Sequence, residues 1–540
     1  MPEASSQLAR RAGSVAGATM ISRLLGLVRE QVIAGVFGAG RGPATDVFLL
    51  AFRIPNLLRD LFAEGALSAA FVPNFTAALR EDRARAWRLF NVVLHVLVVL
   101  LGGITVGIVV FAPEVVTALA TGYGDEKREL ASLLTRISAP FLALVSAAAL
   151  AMGALNACGR FFVPALAPAF FNVAMIASAL ALPGLLPRWG LEPVAALALG
   201  AVAGGALQLA IQVPLLLREG YRYRPVWDLK DPGLARIARM MGPAVIGMAI
   251  VQVSILIDTQ FASQIPGDGP LSWLNFAFRI MYLPIGVVGV GIGTAHLVEA
   301  SRHAAAGETG EVRAAVGRAV RLTALLALPA MAGLIALRVP VVRVLYEHGR
   351  FGEADTRATA DALLWFSAAI LTYSAIKIFV PTFYATGDTK IPLLASASGI
   401  AAKIGASVLL VGPMGHAGLA CSTLLATMVN AGILGVVLRR RVGCYMGWEG
   451  TGALVRMAVA AAAMGGGVYW LHEAIDGALG HATLGRQAVA VAASVIAGAG
   501  LYGGLCLLFR VGDVPAMLQA LRRRRGAPPP PPEPPASQIG

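Results

Sequence analysis

Apolar residues run along the chain in long blocks, separated by short stretches rich in charge, glycine and proline. The blocks fall at 13–38, 46–78, 89–119, 131–157, 162–184, 193–217, 235–263, 271–299, 314–337, 358–385, 391–411, 416–438, 452–473 and 485–510. Each is long enough to cross a bilayer as a helix, which takes about 20 apolar residues. The pattern predicts an all-α polytopic membrane protein of fourteen transmembrane helices. From Val511 onward it changes to four arginines, Arg522 to Arg525, and a proline run from Pro528 to Pro532, which predicts a disordered or polyproline tail at 511–540.

Composition agrees. Hydrophobic residues make up 57% of the 540 and charged residues 14%, and the mean hydropathy is +0.72. Soluble domains carry about 25% charge, so a soluble enzyme, a coiled coil and a disordered chain are all excluded. The net charge of +14 would ordinarily raise the question of nucleic acid. Here it is read as basic loops facing the cytoplasm. With the N-terminus inside, Lys and Arg favour the cytoplasmic loops by roughly three to one, and both termini are expected there. Cys158, Cys421, Cys444 and Cys506 show no metal spacing, and no cleavable leader is visible. There is no phosphate-binding loop, no HExxH and no Ser-His-Asp grouping. The chain is therefore read as a non-enzyme without a cofactor or bound metal.

The chain also repeats itself. Ala51-Phe52-Arg53-Ile54 recurs as Ala277-Phe278-Arg279-Ile280, Pro113 as Pro340, and Ala157-Cys158-Gly159 with Pro164 as Ala385-Thr386-Gly387 with Pro392, at offsets of 226, 227 and 228. Two six-helix lobes, 1–225 and 226–440, are expected to run in parallel through the membrane. Helices 13 and 14 (441–510) lie outside the repeat. In such proteins the substrate site lies between the lobes, and their rocking gives alternating access.

Charge at bilayer depth needs a reason, since insertion costs at least about 2.5 kcal/mol per residue. In the first block Thr19, Ser22, Arg23, Gly26, Arg29 and Glu30 share an arc of about 120°. In the second, Asp46, Arg53, Asn56, Asp60 and Glu64 share one side, Arg59 sits at its edge, and Pro55 is expected to kink the helix. Arg29 has Glu30 or Asp46 as a local partner, and Arg53 has Asp60 or Glu64. The later blocks are sparser, with Asp258, Arg279, Lys377 and Lys403. An excess of guanidinium in a low-dielectric cavity wants an anion, and phosphate suits it because guanidinium binds it bidentately. Asp258 and Lys403 are lone charges in apolar helices of one lobe. They are expected to form an ion pair, the alternative being an ion or proton site.

Several motifs carry a family resemblance. They are Ser22-Arg23-Leu24-Leu25-Gly26-Leu27-Val28-Arg29, Thr45-Asp46, Ala51-Phe52-Arg53-Ile54-Pro55-Asn56-Leu57-Leu58-Arg59, Phe62-Ala63-Glu64-Gly65-Ala66 and Phe71-Val72-Pro73, followed by Met241-Gly242-Pro243, Tyr346-Glu347-His348-Gly349-Arg350-Phe351 and Tyr384-Ala385-Thr386-Gly387-Asp388. On these residues the chain resembles the MurJ/MviN family of lipid II flippases, over about residues 8–510. The resemblance implies translocation of the undecaprenyl-pyrophosphate-linked peptidoglycan precursor, lipid II, from the inner to the outer leaflet of the bacterial cytoplasmic membrane. It implies Arg23, Arg29, Asp46, Arg59, Ser272 and Arg279 as substrate-binding residues, with Ser22, Glu30, Arg53, Asn56 and Glu64 in support. The lipid tail is expected to lie in a groove formed with helices 13 and 14. Lipid II, the phospholipid bilayer and the cell-wall synthesis machinery are the expected partners, with no nucleic acid. The membrane potential or a monovalent ion is left open as the driving force. Where family members often carry acids beside the arginine of helix 8, this chain has Phe278 and Tyr282. Another lipid-linked glycan, a multidrug or cation exporter of the same multidrug/oligosaccharidyl-lipid/polysaccharide superfamily, and a membrane scaffold acting through the proline-rich tail are the alternatives.

Overall fold

A computed structural model describes residues 2–61, 67–479 and 483–512. Glu64 and the proline-rich tail lie outside the described residues. The helices in chain order are α1 (Pro2–Phe37), α2 (Ala44–Arg59), α3 (Ser68–Glu81), α4 (Arg83–Val110), α5 (Ala112–Leu119), α6 (Asp125–Ser138), α7 (Phe141–Ala157), α8 (Phe162–Ala181), α9 (Ala195–Ala210) and α10 (Val213–Arg218). There follow α11 (Pro232–Ser263), α12 (Pro270–Ala305), α13 (Thr309–Ala336), α14 (Arg338–Tyr346), α15 (Glu353–Ala368), α16 (Ile370–Ala385), α17 (Lys390–Met414), α18 (His416–Val442), α19 (Gly447–Leu479) and α20 (Leu484–Leu508). Among the described residues there is no strand.

Among the described residues each expected block falls largely on helix, but several are broken. The block at 131–157 is split at Pro140 into α6 and α7, and the block at 193–217 is split before Pro214 into α9 and α10. In both places proline removes a backbone donor and its ring crowds the preceding turn. Polar caps set other boundaries. Asp82 accepts from the amides of Ala84 (3.0 Å) and Arg85 (3.2 Å) at the start of α4, and Asp231 accepts from Gly233 (2.7 Å) and Leu234 (3.2 Å) at the start of α11. By length and apolarity ten spans qualify among the described residues, or eleven with α12, which bends by 45° between Gly286 and Gly291. The expected fourteen also counts α1, α2–α3 and α11, and the first two of these carry the charged faces.

Two groups of helices build the bundle. The helices up to α10 pack chiefly on one another, α1 on α8 and α8 on α9, and those from α12 to α18 do likewise, α12 on α16 and α17 on α18. α11 touches both groups, packing on α3 and on α17. α19 and α20 pack on α13 and α14 outside the second group, through an apolar cluster that includes Met457, Met464 and Tyr502. Large apolar side chains such as Val106, Leu180, Leu409 and Ile496 are exposed on the outer wall. Water would penalise so much apolar surface, whereas a bilayer accepts it.

The two groups are tied together at one end, called here the latched end. Asp46, buried at the start of α2, accepts from the amides of Gly269 (2.9 Å) and Ser272 (2.7 Å) and from the Ser272 hydroxyl. Asp355 accepts from the Gly40 amide (2.7 Å), Lys127 pairs with Asp268 (2.6 Å), and the Arg350 amide donates to the Gly35 carbonyl (2.8 Å). At the opposite, basic end, Glu219 receives Arg83 (3.0 Å) and Arg160 (2.7 Å) from its own group. Asp388 similarly receives Arg441 (2.6 Å) within the second group.

Candidate functional site

A cavity of about 500 Å³ lies between the two groups. α1 supplies Ser22, Arg23, Arg29 and Glu30, α2 supplies Arg53, Asn56 and Arg59, α8 supplies Phe171 and Asn172, and α12 supplies Asn275, Arg279 and Tyr282. Among the described residues, five arginines thus face one carboxylate, Glu30, across the lining. The helical arithmetic that puts Ser22, Arg23, Arg29 and Glu30 on one face of α1 places all four on this void.

Neighbouring polar groups fix the arginines. Asn172 donates to the Ser22 carbonyl (3.0 Å) and accepts from Arg29 Nη1 (3.1 Å), so α8 sets the position of the Arg29 fork. Arg29 Nη2 bonds Glu30 Oε1, and Arg279 Nε stands 3.5 Å from the same oxygen. Glu30 therefore bridges guanidiniums of opposite groups while 5% exposed. The Arg29 fork also lies 5.8 Å from the centre of the Phe171 ring, within cation–π range. Among the described residues its Nε has no hydrogen-bond partner, so one donor of a buried cation remains to be satisfied. The Arg279 side chain is 53% exposed and keeps most of its donors open to the cavity.

The outer pair on α2 is partly committed. Arg53 donates to the Ile255 carbonyl (3.3 Å) and Thr259 Oγ1 (3.0 Å) on α11. Arg59 bonds Asp60 (2.7 Å), which also accepts from Gln252 (3.2 Å). Of the two partners expected for Arg53, Asp60 is not one, and Glu64 lies outside the described residues. Asp60 sits beside Arg59, and Arg53 points across the interface to α11.

Asp46 and Ser272 do not line the cavity. They bind each other at the latched end, where a carboxylate can satisfy the orphan amides at the start of α12. Lys403 and Asp258 do form the expected pair. Lys403 Nζ lies 2.7 Å from Asp258 Oδ2, 2.9 Å from Ser254 Oγ and 3.1 Å from the Ser254 carbonyl, with Lys403 only 2% exposed. Asn172 was not anticipated. Its signal was available, since it is the one amide in the apolar run of α8 and a lone amide at that depth needs partners.

Against proteins of known family, the model for "Lipid II flippase MurJ" matches residues 33–486. The chain belongs to the MurJ lipid II flippase family. A probable lipid II flippase MurJ of Vibrio cholerae is 34% identical over 466 residues, covering 84% of this chain and 87% of its own. The lipid II flippase MurJ of Burkholderia cenocepacia is 34% identical over 469 residues (85% and 89%). A probable one from Rhizobium meliloti is 33% identical over 533 (96% of each). Among solved structures, a lipid II flippase MurJ in an inward closed conformation superposes with a TM-score of 0.74 at 21% identity, over 93% of this chain and 99% of that one. A multidrug MATE-family transporter in an inward-facing conformation superposes at 0.65 and 16% identity, over 80% and 98%. The fold is that of the MurJ and MATE transporters, and the chain is a multi-pass membrane protein of a flippase family.

Proposed function

We propose that this chain carries lipid II from the cytoplasmic to the outer leaflet of the bacterial inner membrane, as a transporter and not as a catalyst. The observation that carries the reading is the cavity itself, where among the described residues five guanidiniums from both halves line the void with one carboxylate. A diphosphate supplies the missing negative charge and accepts the open donors of Arg29 and Arg279 bidentately. Such a cavity disfavours cationic drugs, and this sets the chain apart from an exporter of similar fold.

Residues 1–225 and 226–440 act as two rocking lobes in this reading, with α19 and α20 offering the tail a groove outside the second. The basic end faces the cytoplasm, in keeping with its Arg-rich loops, and both termini lie there. The latched end then closes the cavity from outside. A substrate taken up from the inside draws Arg23, Arg29, Arg59 and Arg279 onto its diphosphate while Ser22, Asn56, Glu30 and Arg53 hold the walls. Asp46 and Ser272 act through closure of the outer end. The potential contributes about 2.3 kcal/mol per charge per 100 mV, which is enough to bias a charged cavity between its two faces. Complementation of a strain depleted of its lipid II flippase tests the proposal. The wild-type chain should restore growth, and Arg29→Ala or Arg279→Ala, present in the membrane at equal level, should not. Growth with either variant overturns the role given to the cavity arginines.

A further inference from the structure

We infer that Lys377 forms an entry subsite for the substrate's diphosphate, one helical turn nearer the basic end than the arginine cavity. This deepens the proposed function and rests on it.

Lys377 sits inside the span Glu353–Ala385. It lies eight residues before the end of α16 at Ala385. At 1.5 Å per residue that is about 12 Å of helix, longer than the four-carbon stem of a lysine. Snorkelling to the nearer membrane surface therefore does not account for it. The side chain is exposed, and among the described residues no hydrogen bond or ion pair holds its ammonium. A cation at that depth must face either water or a ligand.

The neighbouring helix shows which way it faces. The cavity stripe of α12 runs through Arg279, Tyr282 and Gly286, and its next position toward the basic end on the same face is Gly289. A Cβ on Gly286 would stand 4.0 Å from Arg23 Nη1, and one on Gly289 would stand 3.4 Å from Lys377 Cγ. Gly293 admits the α16 backbone still closer, since a Cβ there would come within 2.7 Å of the Lys377 carbonyl oxygen. The two glycines let α16 press onto the stripe, and Lys377 follows Arg23 along it. The 45° bend of α12 between Gly286 and Gly291 falls at the same level. An anion entering from the basic end would thus meet Lys377 first, then Arg23, then the Arg29 and Arg279 pair. A mobile ammonium suits a transient first contact, and the rigid guanidinium forks suit the final grip.

Purified protein in liposomes, transporting lipid II with inorganic pyrophosphate as competitor, tests this. Lys377→Gln should raise the half-saturating lipid II concentration about tenfold, the size of one hydrogen-bonded charge, and should weaken pyrophosphate inhibition in parallel. The maximal rate should stay within about twofold, and Lys377→Arg should restore the half-saturation. An unchanged half-saturation, or a fall in maximal rate alone, overturns the inference. Lys377→Cys supplies an independent readout. An anionic thiol reagent should label it above the background set by exposed Cys444, and pyrophosphate should slow that labelling. Failure to label decides against the subsite even if Lys377→Gln does not accumulate. Arg29→Ala in the same assay separates the two levels. If it abolishes transport while Lys377→Gln changes nothing, only the entry subsite falls, whereas normal transport by Arg29→Ala removes the function proposed above.

Discussion

Gly349→Ala should prevent the latched end from closing. Gly349 sits at φ +61° between Tyr346 and Phe351 and packs against α1 of the opposite group. A Cβ there would stand 2.1 Å from the Gly35 carbonyl oxygen and 2.9 Å from its carbon. That oxygen is also the acceptor for the Arg350 amide at 2.8 Å. Two penalties follow, and they act on different equilibria. The left-handed backbone strain of about 1–2 kcal/mol accompanies both the latched and the open state, so it lowers stability without moving the balance between them. The collision with Gly35 exists only when the groups are together. Relieving it separates the backbones and sacrifices the Arg350 bond, worth about 1 kcal/mol net. With about 1–3 kcal/mol for overpacking, the latched state loses roughly 3 kcal/mol, or about a hundredfold in population. Spin labels at Asp125 and Glu353, which lie on opposite groups at this end and are both exposed, would report it. The variant should shift the distance distribution to longer values and slow lipid II transport in liposomes. An unchanged distribution with wild-type transport would refute the argument that this contact closes the end.

Two other outcomes follow from ion pairs. Lys403→Met should lower thermal stability in detergent by the equivalent of about 3–5 kcal/mol, because it strands the Asp258 carboxylate in the membrane interior. The double variant Lys403→Met with Asp258→Leu should recover most of that loss, and a double variant no more stable than the single one would refute the pairing as the cause. At the basic end, hydrogen bonding from Arg160, supported by Arg83, holds the Glu219 carboxyl below its ordinary value of 4.5. A depressed carboxylate stabilises the fold above its unfolded value and loses that contribution as pH falls through the folded one. The melting temperature of wild type should therefore exceed that of Glu219→Gln near pH 7, and the gap should close on acidification below about 4.5. A gap that persists at low pH would show that the charge is not its origin.

Much of this molecule is determined one segment at a time. Helical blocks are legible because a bilayer demands about 20 apolar residues and satisfies the backbone within each helix. The charged face of α1 is legible because residues at helical spacing share a side, and Ser22, Arg23, Arg29 and Glu30 line the cavity where that arithmetic puts them. The pairing of Asp258 with Lys403 could be read in advance, because two isolated charges in one apolar half have few other ways to be neutralised. Tertiary structure decided what each polar group meets. Asp46 and Arg53 fall on the same side of α2, yet one caps α12 at the latched end and the other reaches Ile255 and Thr259 on α11. Periodicity cannot separate these fates, because it gives a direction around one axis and says nothing of the helix opposite. Asn172 is fixed by a carbonyl 150 residues away, and Gly349 by a backbone on the other half of the chain. Such contacts depend on how helices cross, and that is settled only when every apolar face is packed at once.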